Sequence, residues 1–228
     1  ENVAKKFDIS RKEQQDFAIS SHYKANLARE SNMFENEIVS ITNNDEKINK
    51  DGGIRPNTSH EILDGLKLAF DENGTVTAGT ASPLTDGASA VIVCEEEYAK
   101  KNNLNILARI KSTAVVGCPP ELMGLGPINA SKKALKRANL SISDIDIVEL
   151  NEAFASQSLA CIKELNMDIS KVNIHGGAIA LGHPLGATGA RITGKVATLL
   201  QNNNKKYGLA TQCIGLGQGI ATVLENIN

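Results

Sequence analysis

The stretch Gly176-Gly177-Ala178-Ile179-Ala180-Leu181-Gly182-His183-Pro184-Leu185-Gly186-Ala187-Thr188-Gly189-Ala190-Arg191 decides how the rest of the chain is read. Its five glycines bracket a single His-Pro step, directly after the short apolar run Val172-Asn173-Ile174. An apolar periodicity then begins at Ala190 and continues through Ile192, Val196, Ala197, Leu199 and Leu200, so a helix starts there. Glycines allow tight turns and close approach of the backbone to a ligand. The helix start adds free N–H groups and a partial positive charge. A histidine on such a turn is suited to move a proton or to donate to a developing oxyanion. The stretch reads as a site and not as a linker.

Working outward, the flanking sequence alternates strands with helices. Ile106 to Val116 is expected extended, Asn129 to Asn139 helical, Ile145 to Leu150 a strand and Asn151 to Leu165 a helix. Val172 to Ile174 is a short strand before the glycine turn and the helix ending near Gln201. Tyr207 to Cys213 and Gly219 to Leu224 are close enough to pair as a hairpin around Gly215 and Gly217. The order β-α-β-α-β-α-β-β predicts an α/β fold, a mostly parallel sheet covered by helices and closed by one antiparallel partner. Ala88 to Cys94 reads as a further strand.

Upstream the pattern is looser. Ser10-Arg11-Lys12-Glu13 is a capping box opening a helix to about Arg29, with Phe17, Ala18, Ala25 and Ala28 inward. An extended piece is expected from Glu37 to Thr42, before a polar loop from Asn43 to Ser59. Thr58-Ser59-His60-Glu61 reads as a second capping box, with Leu63, Leu66, Ala69 and Phe70 sharing one helix face. Residues 1–84 lack the material of a self-contained core and read as an excursion from something larger.

The 228 residues are 41% hydrophobic and 22% charged, an ordinary globular composition. A net charge of −2 without a basic stripe gives no footprint for nucleic acid, and no apolar run has the length of a membrane span. The four cysteines, Cys94, Cys118, Cys161 and Cys213, have no metal-like spacing, so no metal is expected. They fit free thiols in a reducing compartment, here cytoplasmic. The chain begins at Glu1, so a targeting segment upstream would be invisible.

Ligands of open α/β sheets bind beyond the carboxyl ends of strands. Three reactive side chains fall at such ends: Asn151, His183 and Cys213. An amide, an imidazole and a thiol on one edge suit acyl or carbon-acid chemistry. The bland readings stand beside this one. Asn151 reads equally as the N-cap of its helix, and lone cysteines such as Cys94, Cys118 and Cys161 read first as core residues. Gly189 to Lys195 has the spacing GxxxxGK, but Val196 follows and the segment is helical, so a P-loop is rejected.

Asn151-Glu152-Ala153-Phe154-Ala155, the Gly182-His183-Pro184 turn and Cys213-Ile214-Gly215-Leu216-Gly217-Gln218-Gly219 together resemble the thiolase family. Thr75 to Gly79, Asp86-Gly87-Ala88 and Met123 to Pro127 look like further thiolase signatures, so the resemblance runs from about Ser10 to Leu224. It implies an acyltransferase that interconverts two acyl-CoA molecules with a 3-ketoacyl-CoA plus free CoA through an acyl-cysteine. Coenzyme A is then substrate and product, with no permanently bound cofactor, and the protein is expected as a homo-oligomer, dimer or tetramer.

By resemblance, Cys213 is the acid/base thiol acting on the α-proton. His183 activates the nucleophile and, with a water held by Asn151, binds the thioester oxygen, while the Gly215 N–H helps form a second oxyanion hole. Ser82, Leu84, Phe70, Met123, Ala153 and Phe154 look like the pantetheine channel. Arg55 looks like a contact to the nucleotide end; Lys47 and Lys50 beside it read equally as solvated surface.

The resemblance also implies an organisation. Residues 1–84 would be the remainder of a loop domain that contacts CoA, 85–103 the last strand of an N-terminal half plus a linker, and 104–228 the C-terminal thiolase domain. The N-terminal half with the nucleophilic cysteine is expected to be missing from this chain, and none of the four cysteines is assigned as nucleophile. Ser82-Pro83-Leu84-Thr85 and His175 depart from the family pattern near the substrate side. The alternative reading is a non-catalytic acyl-CoA or lipid-binding thiolase-like protein, and a nucleotide-binding module is a third.

Overall fold

The computed structural model describes residues 1–227. Helices α1 (Asn2–Phe7) and α2 (Arg11–Glu30) open the chain, followed by a small hairpin, β1 (Ile41–Asn43) with β2 (Glu46–Ile48), and two short helices, α3 (His60–Asp64) and α4 (Glu96–Lys101). The body consists of β3 (Arg109–Gly117), α5 (Gly126–Ala138), β4 (Ile147–Leu150) and α6 (Ala155–Leu165). It continues with α7 (Ala178–Leu181), α8 (Thr188–Asn202), β5 (Tyr207–Ile214) and β6 (Gln218–Glu225).

Local rules account for the helix ends. The Ser10 side chain accepts from the Glu13 N–H and Glu13 reaches back to Ser10, the reciprocal cap read from the sequence. Pro127 sits in the first turn of α5, where no intrahelical donor is lost. Asn139 and Asn166 take left-handed conformations (φ 57° and 51°) just past α5 and α6, ending each helix with a residue that tolerates that region.

The main sheet has the order β3-β6-β5-β4, and a single parallel bridge from Val148 to Val172 marks a fifth position beyond β4. β4 and β5 are parallel, while β6 runs antiparallel to both β5 and β3. The fold is thus the mixed α/β sheet expected, with one change: the antiparallel strand lies inside the sheet instead of closing its edge. A three-residue connection makes β6 the neighbour of β5, and β6 then offers its other side to β3.

Alternation along the strands sorts the core into two faces. Val148, Leu150, Leu209 and Val223 pack with residues of α5 and α6, whereas Ile147, Ala210 and Leu224 pack with Ile192, Val196, Leu199 and Leu200 of α8. Residues 1–84 do not stand apart. Val3 and Ile9 pack on Ala160 of α6, and Ala25 and Ala28 of α2 join Phe34, Ile54 and Ala180.

Several sequence expectations are corrected. Ala88 to Cys94 forms no strand: the segment runs over α8, with Ser89 Oγ donating to the Ala187 carbonyl, and leaves Ile92 91% and Val93 69% exposed. A strand exists only where another supplies its ladder, and none among the described residues lies beside it. Val172 to Ile174 shrinks to one bridge, because Asn173 turns left-handed (φ 47°). The cap of α3 is Ser59, not Thr58, whose hydroxyl donates to the Arg55 carbonyl instead. α3 ends at Asp64, so Leu63 is buried while Phe70 lies 66% exposed. The extended piece before the polar loop supplies β1 from Ile41, and the loop itself begins with the turn and β2 that complete the hairpin. Finally, α6 starts at Ala155, four residues later than expected, with Phe154 at its N-cap.

Candidate active site

That late start of α6 frees Asn151 from a capping role. Its backbone N–H donates to the Thr211 carbonyl at 2.9 Å, extending the β4–β5 ladder by one step, and the residue is fully buried. Being two residues beyond Glu149 and four beyond Ile147, it falls on the α8 face of β4. There Asn151 Nδ2 meets His183 Nε2 at 3.3 Å.

Three elements hold the imidazole. Gly182 turns with φ +94°, a conformation that L side chains rarely adopt, and its missing Cβ makes room for Thr85. Thr85 Oγ1 accepts the His183 backbone N–H at 3.2 Å. His183 Nδ1 lies 2.7 Å from Thr188 Oγ1 at the start of α8, and that hydroxyl donates to the Pro184 carbonyl at 3.1 Å. An amide nitrogen is only a donor, so Nε2 facing Asn151 is the acceptor and the ring proton resides on Nδ1, shared with Thr188. Burial, then the Arg191 guanidinium, lowers the imidazole pKa, which keeps the ring neutral. Nε2 is therefore an available base that becomes an N–H donor once protonated.

Cys213 reaches the same edge from the other side. It lies near the end of β5 on the same face as Leu209, which packs with α5 and α6, while the neighbouring Gln212 side chain meets Gly189 of α8. Cys213 is buried, and desolvation pushes its thiol up to about 11. Among the described residues it makes no hydrogen bond to Asn151 or His183. The amide and imidazole touch; the thiol shares their sheet edge on the opposite face. Gly215 follows in the turn, with Leu216 (φ 67°) and Gly217 (φ 91°) both left-handed and Gly217 packed under the Cys118 carbonyl.

The residues expected in a substrate channel separate into two groups. Ser82 donates through its N–H and its hydroxyl to the Ala153 carbonyl, and Phe70 stands edge-on to Phe154 with ring centroids 5.9 Å apart. Leu84 projects fully into solvent, Met123 sits in the turn Pro120–Leu125 whose carbonyls face Cys118, and Arg55 is tied by its N–H to His22 Nδ1 on α2. No helix of the described residues is long and apolar enough to cross a membrane, and no group of three or more His, Cys, Asp or Glu among them could hold a metal ion.

The family model for the thiolase N-terminal domain matches residues 1–97, and that for the thiolase C-terminal domain matches residues 104–226. The chain belongs to the thiolase family. It is 53% identical to the 3-ketoacyl-CoA thiolase of Shewanella loihica, over 99% of this chain and 60% of that protein. It is 52% identical to the enzyme of that name from Serratia proteamaculans, over 100% and 61%. The chain thus spans about three fifths of the length of the curated relatives it matches.

Among solved structures, the human mitochondrial 3-ketoacyl-CoA thiolase in complex with CoA superposes with a TM-score of 0.96 at 45% identity, covering 99% of this chain and 57% of that one. The Bacillus anthracis acetyl-CoA acetyltransferase gives 0.94 at 42%, covering 98% and 58%.

Against this thiolase background, three residues given no role in the sequence emerge at the site. Thr188 was hidden in the glycine stretch, although its place at the first position of α8 faces it back toward His183. Thr85 belongs to the segment that departs from the family pattern, and no local signal ties it to a residue 98 positions away. Glu152 stands beside Asn151, and a fully buried carboxylate requires polar partners.

Proposed function

We propose that the protein is a 3-ketoacyl-CoA thiolase, an acyltransferase interconverting two acyl-CoA molecules, acetyl-CoA in the simplest case, with a 3-ketoacyl-CoA such as acetoacetyl-CoA plus free CoA. The observation that carries this reading is the Asn151–His183 contact with Nδ1 anchored on Thr188. It supports an imidazole that takes a thiol proton at Nε2 and then, as an N–H donor, meets the oxygen of a thioester becoming an enolate, together with a water held by Asn151. A thioester α-carbon is a poor acid, so preorganised donors in a desolvated site are what the reaction requires.

In the condensing direction, the Cys213 thiolate takes the α-proton of the second acyl-CoA. The enolate carbon attacks the acyl-cysteine thioester, the Gly215 N–H meets the resulting oxyanion, and the cysteine leaves as thiolate. Burial holds Cys213 as the protonated thiol, the form that returns the α-proton in thiolysis. No nucleophile is assigned among Cys94, Cys118, Cys161 and Cys213; burial takes Cys161 up to about 12. Phe70, Ser82, Ala153 and Phe154 make the contacts suited to a pantetheine channel, with Leu84, Met123 and Arg55 as outer contacts to the coenzyme.

The division into 1–84, 85–103 and 104–228, a homo-oligomer and a cytoplasmic site of action belong to the same reading, the last resting on four free thiols. A carrier of acyl-CoA or lipid would need neither a tautomer-fixed histidine nor a buried thiol at the same sheet edge. Thiolysis of acetoacetyl-CoA by the intact protein, followed by loss of the Mg-enolate absorbance, is the test. Turnover that disappears with Asn151→Ala and His183→Ala supports the reading, and CoA binding without turnover by the wild type would replace it with the carrier.

A further inference from the structure

Glu152 is 1% exposed and occupies a junction of four chain segments. One carboxylate oxygen, Oε2, accepts from Ser21 Oγ of α2 at 2.7 Å and from the Ile179 N–H in α7 at 3.1 Å. The other, Oε1, accepts from Asn173 Nδ2 at 2.8 Å. Gly177 packs so closely that a Cβ there would collide with the carboxyl group, and its N–H donates to Ser21 Oγ at 3.1 Å.

The partners cannot exchange roles. Asn173 Oδ1 accepts the Leu150 N–H and its Nδ2 donates to the Leu150 carbonyl, so turning the amide over would set donor against donor. Ser21 Oγ already accepts from Gly177, which leaves its own hydrogen for Glu152. Asn173 Nδ2 and the Ile179 N–H can only donate, one to each oxygen, so both oxygens accept; burial raises the carboxyl pKa, and the hydrogen bonds from Ser21, Asn173 and Ile179 act against that rise. The contacts join the end of β4, next to Asn151, to α7, which runs directly into Gly182-His183.

We infer that Glu152 is a positioning residue of the active site: its carboxylate bolts the strand end carrying Asn151 to the turn carrying His183, setting the separation of the two. This rests on the acyl-transfer reading above, in which that pair meets the thioester oxygen. Glu152 itself touches no reacting atom.

The substitution Glu152→Gln keeps the shape and fails by hydrogen bonding alone. Either orientation of the new amide points an NH2 at Asn173 Nδ2 or at the Ile179 N–H. Measured on the intact protein with acetoacetyl-CoA and CoA, kcat is expected to fall about 100-fold, the scale of a small misplacement of catalytic groups. KM for CoA should stay within about twofold, because the coenzyme contacts are not altered.

Ser21→Ala removes a single donor and keeps the carboxylate, so it decides the matter if Glu152→Gln does not fold. It should lower kcat about tenfold with the same unchanged KM, the scale of one lost hydrogen bond to a charged group. A folded Glu152→Gln or Ser21→Ala with wild-type kcat overturns the inference alone, as does a fall in kcat matched by an equal rise in KM. A wild-type protein inert toward acetoacetyl-CoA overturns the underlying reading, and this inference with it.

Discussion

Asn151 Nδ2 and Thr188 Oγ1 grip the His183 ring from opposite ends, at 3.3 Å from Nε2 and 2.7 Å from Nδ1. The pair sets both the tautomer and the ring plane, and each partner comes from a different element, one just past β4 and one at the start of α8.

Replacing Thr188 by Val keeps the volume but removes the acceptor at Nδ1. The ring proton is then free to move to Nε2, which abolishes the base that the chemistry needs. The Thr188→Val protein should lose about 100-fold in kcat, within the range contributed by general acid–base catalysis. Nitrogen-15 spectra of the imidazole report the tautomer directly, and the wild type should show the proton on Nδ1. A wild-type ring protonated on Nε2 would refute the assignment.

In the proposed reaction Cys213 tolerates substitution least. Serine has nearly the same size but ionises far less readily than even a thiol raised to about 11. Cys213→Ser is therefore expected to lower kcat by about 100-fold or more while leaving KM for CoA within about twofold. Undiminished turnover of this variant would remove Cys213 from the mechanism.

Two histidines away from the dyad tie stability to pH. Burial is the main reason that His22 and His175 fall to about 4 from 6.5, with Arg55 adding to the effect on the first and Lys195 on the second. In the unfolded chain they take up protons near pH 6.5, while in the folded protein they stay neutral. The unfolded state binds more protons in this window, so stability is full above pH 6.5 and declines as pH drops toward 4. A His22→Asn variant lacks its share of that decline. The gap in urea midpoint between wild type and variant should narrow from pH 7 to pH 4.5, and a gap independent of pH would show that folding leaves the His22 pKa unchanged.

The glycines of the active-site turn are not equivalent. An alanine at Gly177 meets the Glu152 carboxylate, whereas at Gly186 an added Cβ has nothing within 4 Å. Gly177→Ala should destabilise by about 1–3 kcal/mol, the usual cost of overpacking, and should also lower kcat by moving the carboxylate. Gly186→Ala should leave stability within about 0.5 kcal/mol. Denaturant titration of both variants checks the contrast, and equal stabilities would contradict the packing described.

Much of the architecture is legible from short-range signals. The capping box at Ser10 and Glu13, the hairpin around Gly215 to Gly217 and the helix after the glycine turn all form where they are read. Asn151, His183 and Cys213 do reach one sheet edge, because strands of known order bring their ends together. Contacts that cross the chain were not legible. The spacing of Asn151 to Leu165 suits a helix throughout, yet the Asn151 N–H is claimed by Thr211 of β5, and the helix waits until Ala155.

The sequence by itself determined where the chain turns, where the capped helix α2 begins and which reactive residues end strands, because caps, glycines and periodicity act within about four positions. Tertiary structure alone decided that Thr85 holds the His183 backbone, that Glu152 joins two active-site segments and that Ala88 to Cys94 lies unladdered along α8. A hydrogen-bond partner nearly a hundred residues distant, or a strand that needs a neighbour, leaves no imprint on the residues beside it. Such relations exist only once the layers have packed.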